Sequence, residues 1–99
     1  MLKSYIGKTI ANELVTLCGT RKDKDLTIMS LLINGGEEGG DFTLSIGDYQ
    51  EKYSIDAENT VAFDHKIMLG PEQSLTVLGQ IDGVTFCVSA IESTTNEDL

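Results

Sequence analysis

The sequence has no tryptophan, one proline, one histidine and two cysteines among its 99 residues, and seven lysines and arginines stand against sixteen aspartates and glutamates. Each scarcity excludes something. The two cysteines, Cys18 and Cys87, fall inside apparent strands. They are too few for the disulfide framework of a small secreted domain. They read as reduced, small apolar fillers in a protein made in a reducing cytoplasm. A formal net charge of −9 repels phosphate backbones and anionic lipid, so neither nucleic acid nor a membrane is an expected partner. No apolar run approaches the roughly 20 residues of a membrane-spanning helix. Met1-Leu2-Lys3-Ser4-Tyr5 has no apolar run behind it, and Lys8, Asn12 and Glu13 follow, so no export signal is expected.

Chemical motifs are also missing. Gly-x-Ser-x-Gly, His-Glu-x-x-His and Cys-x-x-Cys do not occur. A lone histidine without a positioned partner is no catalytic signal. No catalytic residue, no cofactor and no enzymatic activity are therefore expected. Glu37, Glu38 and Asp41, with Asp48 nearby, gather oxygens around a glycine-rich loop. Their spacing matches no calcium loop, so no metal is expected there. Gly35-Gly36 and Gly39-Gly40 lack the lysine and following helix of a phosphate cradle.

What the chain does have is alternation. Phe42-Leu44-Ile46, Val61-Phe63-Ile67-Leu69, Leu75-Val77 and Val84-Phe86-Val88 each place apolar side chains at every second position. A period of two marks a half-buried strand. Turn residues divide the chain into strands over 4–10, 13–18, 26–34, 41–46, 49–55, 60–69, 74–80 and 84–91. Gly47-Asp48 predicts a tight hairpin with positive φ at the glycine, and Asp82-Gly83 predicts a second hairpin. The expected fold is all-β, an eight-stranded antiparallel β-sandwich of jelly-roll-like form. It fills residues 1–91 as one domain, and 92–99 follow as a flexible acidic tail.

The segment 26–34 departs from alternation. Ile28, Met29, Leu31, Leu32 and Ile33 put apolar groups on both faces. This predicts a strand buried on both sides, central in a sheet or covered by a partner. Met29, Leu31 and Ile33 are accordingly candidate interface residues. His65 joins them because it shares parity with Val61, Phe63, Ile67 and Leu69. It reads either as a pH-sensitive contact or as a core-edge histidine bonded to backbone. Tyr5, Tyr49 and Tyr53 could stack on a sugar. Tyr49 and Tyr53 share parity with Ile55, which favours a packed face.

The order of segments resembles the small β-sandwich virion proteins of tailed bacteriophages: capsid decoration, head-fibre or neck-associated subunits. The similar stretch runs from Leu14-Val15-Thr16-Leu17 through 26–34, which ends in Ile33-Asn34 and the glycine loop. It continues with Phe42-Thr43-Leu44-Ser45-Ile46-Gly47 and a tyrosine-bearing strand. Segment 60–69, then Gly70-Pro71-Glu72-Gln73-Ser74-Leu75-Thr76-Val77, then 84–92 close it. Arg21-Lys22-Asp23-Lys24-Asp25 replaces the proline-alanine-glycine turn common in that family. The resemblance implies a structural role in a virion assembled in the host cytoplasm. It also implies a homo-oligomer or symmetric array, with major capsid, neck or fibre proteins as partners. Two other readings stand beside it: a sandwich that recognises carbohydrate or a receptor through loops such as 35–40, and a small cytoplasmic β-barrel ligand carrier.

Overall fold

The computed structural model describes residues 1–63 and 66–94. Those residues form nine strands and no helix: β1 (Leu2–Lys8), β2 (Leu14–Gly19), β3 (Lys24–Asn34), β4 (Gly40–Ile46), β5 (Tyr49–Ile55), β6 (Thr60–Phe63), β7 (Ile67–Leu69), β8 (Ser74–Gly79) and β9 (Thr85–Thr94). All pair antiparallel in two sheets. The first runs β1-β9-β3-β6, with β7 also on β3, and the second runs β2-β8-β4-β5. The fold is therefore all-β, with nine strands where the sequence predicts eight. The segment 60–69 divides: β6 pairs with Leu31–Asn34 and β7 with Leu26–Ile28.

The two sheets enclose one core. Leu26, Ile28, Leu31, Ile33, Val88, Phe86 and Ala90 of the first sheet meet Phe42, Leu44, Leu75, Val77, Leu17 and Cys18 of the second. These side chains are withdrawn from water almost completely. Burying a large aliphatic or aromatic side chain gives about 1.5–3 kcal/mol. Aromatic contacts continue from the core toward one edge. Phe42 meets Phe86 edge-on at 5.2 Å and Tyr53 in a stacked pair at 5.7 Å; Tyr53 meets Phe63 edge-on at 5.2 Å. The Phe86–Phe42 and Tyr53–Phe63 pairs cross between the sheets.

The doubly apolar run in β3 has a geometric cause. Ile28 pairs with Ala90 and Ser30 with Ser89, so Met29 is an extra residue, a β-bulge. A bulge shifts the side-chain parity of everything beyond it. Leu26 and Ile28 face inward before it, Leu31 and Ile33 after it. The strand is central, as predicted, but it is buried on one face. Met29 is 46% and Leu32 42% exposed on the other. A second bulge, between Thr16 and Cys18 in β2, lets the adjacent Leu17 and Cys18 both face the core.

The turns divide the same way. Gly47 has φ +58 and joins β4 to β5 as the predicted hairpin. Asp82-Gly83 also has its positive φ, +98 at Gly83, yet it joins no hairpin. β8 lies in the second sheet and β9 in the first, so this turn carries the chain from one sheet to the other. At the other predicted boundary, β9 runs on to Thr94 rather than stopping at 91. Glu92, Ser93 and Thr94 pair with Leu26, Asp25 and Lys24. The Met1 amine donates to the Glu92 carbonyl at 2.9 Å, and Lys3 Nζ lies 3.8 Å from Glu92 Oε1.

Candidate functional site

The glycine loop, the most conspicuous loop of the sequence, is packed rather than free. Gly35 N–H donates to Asn59 O, Gly39 N–H to Gly35 O and Glu58 N–H to Gly36 O, all within 3.0 Å. A Cβ on Gly35 would meet Asp56 O at 2.1 Å, and one on Gly36 would meet Gly83 O at 2.4 Å. The glycines are there because backbone approaches backbone. The loop thus locks the β5–β6 turn and the β8–β9 crossing together. Among the described residues, no group of three His, Cys, Asp or Glu is placed to hold a metal ion.

Two other surfaces carry side chains suited to binding. The first is the outer face of sheet β1-β9-β3-β6. Ladder partners on one side of a sheet form rows across it. One row reads Leu2, Ile91, Thr27, Met68; another reads Ile6, Cys87, Leu32, Ala62. Ser4, Ser89 and Ser30 lie between them, beside the bulged Met29. The apolar members are open to water: Leu2 75%, Ile6 76%, Met68 68%. Among the described residues, the charges on this face, Asp25 and Lys8, stand at its two ends. On a chain of net charge −9, this face is poor in charge among the described residues. At 4.8 Å between strands and 3.4 Å per residue, its four strands and six-residue length span roughly 400 Å². That is within the size range of the functional apolar patches of monomers.

The second surface is a cleft of about 460 Å³ at the sandwich edge, where β5 of one sheet faces β6 and β7 of the other. Leu44, Ile46, Leu75 and Ile67 form its floor and walls. Tyr49, Glu51 and Tyr53 stand at every second position of β5, so all three point to the side of the buried Ile55. Tyr53 Oη donates to Glu51 Oε1 at 2.5 Å. Lys66 and Ser45 complete the rim. Burial first, then the hydrogen bond to Glu51 and its charge, and last the Tyr49 phenol push the Tyr53 hydroxyl up to about 12. Tyr49 is raised by the same first two causes. Both phenols are therefore protonated donors at neutral pH.

Of the four residues singled out for an interface, Leu31 and Ile33 are core residues, 1% and 3% exposed. They cannot touch a partner without unfolding. Met29 lies on the open face. His65 lies outside the described residues. Leu2, Ile6, Leu32 and Met68 were not singled out. Leu32 belonged to the doubly apolar run, but the position of the bulge decides its face. For the cleft the signal was present as Tyr49-x-Glu51-x-Tyr53, a period-two comb on one strand. Comparison with protein-family models, with curated proteins and with solved structures finds no match.

Proposed function

We propose that the protein is a non-enzymatic structural subunit of a tailed-phage virion, present in many copies and docked on a neighbouring shell, neck or fibre protein through the outer face of β1, β9, β3 and β6. The observation that carries this reading is the pair of apolar rows, Leu2-Ile91-Met68 and Ile6-Leu32-Ala62, on a face whose charges, among the described residues, stand at its ends. A stable pairwise interface buries about 800 Å² on each partner. The roughly 400 Å² of this face is about half of that. One copy would hold weakly; copies repeated on a lattice would add through avidity. The acidic remainder of the surface keeps copies apart in solution.

The strand order supports the jelly-roll reading. With β6 and β7 counted as one interrupted strand, the sheets read 1-9-3-6/7 and 2-8-4-5. That is two four-stranded layers linked by crossings, the arrangement of many capsid and lectin domains. Fold alone does not give function, so the docking face bears the weight. The resemblance of the sequence to phage virion sandwiches agrees with it.

The test is co-sedimentation with purified particles that lack the protein. Wild type is expected in the particle fraction. The double variant Ile6→Asp/Leu32→Asp is expected in the supernatant while still folding and melting cooperatively, because Ile6 is 76% and Leu32 42% exposed in the free chain. Wild type that never sediments with particles, or a double variant that sediments equally well, overturns the proposal.

A further inference from the structure

The cleft between β5 and β7 has a chemistry of its own, and Met68 is the residue it shares with the rows of the open apolar face. Its floor is apolar: Leu44, Leu75 and Ile46. Its volume, about 460 Å³, lies within the range of small-molecule sites. Tyr49 stands at its rim, 62% exposed. Such exposure is unusual for an aromatic side chain that shares its strand face with core residues. Glu51 gives one carboxylate oxygen to Tyr53 and keeps further acceptor capacity, since an ionised carboxylate has about four acceptor sites. Lys66 supplies donors from the facing sheet.

The combination selects a ligand class. A cation would find Lys66 against it, and an anion would find Glu51 against it. A purely apolar ligand would leave both charges without compensation for lost water. A neutral molecule with an apolar face and a ring of hydroxyls satisfies all of them. Its C–H face lies on the aromatic and aliphatic side chains, its hydroxyls donate to Glu51, and its oxygens accept from Lys66. Charge-assisted hydrogen bonds of this kind are about twice as strong as neutral ones.

We propose that this cleft binds a neutral hexopyranoside, either as a free sugar or as a unit of a polysaccharide, with Glu51 and Lys66 as its polar anchors and Tyr49 as its stacking platform. The test is an amide-shift titration of the labelled full chain. The monomer probes are the methyl glycosides of glucose, galactose, mannose and N-acetylglucosamine; the polymer probes are dextran and mannan. Choline and glucuronate serve as the charged controls.

Shifts centred on Tyr49, Glu51, Tyr53 and Lys66 with at least one glycoside or polymer are expected. Response to the methyl glycosides marks a free-sugar site, and response to the polymers alone marks a polysaccharide site. Tyr49→Ala and Glu51→Gln should each weaken binding roughly tenfold or more, about 1.4 kcal/mol, and both replace exposed side chains. Ile6→Asp/Leu32→Asp should leave sugar binding unchanged, which separates this site from the docking face. No saturable shift at these residues up to about 100 mM, weak even against millimolar sites, overturns the proposal. So does stronger binding of choline or glucuronate, or binding that Tyr49→Ala and Glu51→Gln leave intact.

Discussion

Thr9 is a polar side chain in the most buried class of this protein, 1% exposed. Its hydroxyl donates to Ile81 O at 2.6 Å and accepts from Val84 N–H at 3.1 Å. Its backbone N–H donates to Val84 O and its carbonyl accepts from Gly83 N–H. Gly79 has no side chain because a Cβ there would meet Thr9 Cγ2 at 2.8 Å. One residue thus ties the β1–β2 connection to the β8–β9 crossing. Thr9→Val keeps the shape and removes the hydroxyl, leaving the Val84 N–H and Ile81 carbonyl short of a partner in a dry site. Such orphaned groups cost about 1–3 kcal/mol. A urea melt should show that loss, and Thr9→Ser should recover most of it. Cys18 gives a pH prediction. Burial pushes its thiol from 9.0 up to about 11. Above pH 9 the unfolded thiol loses its proton first, so the unfolded state binds fewer protons and stability falls as pH rises toward 11. The wild type should lose stability over that window faster than Cys18→Ala, measured by urea midpoints at successive pH values.

At the scale of the element, β3 is the strand on which the architecture turns. It pairs with β9 on one side and with both β6 and β7 on the other. Its bulge at Met29 decides which residues reach the core. Leu31 and Leu32 are neighbours of the same type, yet one is 1% and the other 42% exposed. Leu31→Ala should cost about 2–5 kcal/mol, the transfer loss plus a cavity. Leu32→Ala should stay within about 1 kcal/mol, near the range of surface changes. Urea melts of both variants check it, and equal losses would mean the bulge is misplaced. The division of segment 60–69 follows from the same strand. Ile67 and Leu69 pair with Ile28 and Leu26 before the bulge, while Val61 and Phe63 pair with Ile33 and Leu31 after it. A single straight strand would have to match both phases of a partner whose parity changes.

At the scale of the whole molecule, the division of charge matters most. Among the described residues, the acidic side chains that contribute to the net charge of −9 lie mainly away from the outer face of the first sheet. Apolar docking should therefore survive salt. Raising ionic strength from about 0.15 M to about 1 M shortens the screening length from about 8 Å to about 3 Å, which would release a contact held by charge. Sedimentation with particles at both salt levels checks this. Retention is expected, and release at high salt would assign the contact to the charged rim. Among the described residues β1 pairs with β9 alone and forms the edge of that sheet, and such an edge is open to further pairing.

Alternation of apolar and polar residues determined the all-β class and the position of nearly every strand, because a strand's side-chain period is a local property written in consecutive residues. Gly47 announced its positive φ for the same reason. The destination of the chain after each turn was not local. Asp82-Gly83 shapes the same backbone whether the next strand pairs with the last one or crosses to the other sheet, and the Thr9 hydrogen bonds and the packed glycine loop made that choice. The β3 bulge was likewise hidden, since an extra residue is visible only against the register of its partner β9. That bulge turned an apolar run that looked two-faced into one buried face and one open face. The open apolar face and the cleft both followed from that pairing. The Tyr49-Glu51-Tyr53 comb was legible as a pattern on one strand, but its role depended on β7 of the opposite sheet standing across from it. Spacing along the chain carries no information about that distance.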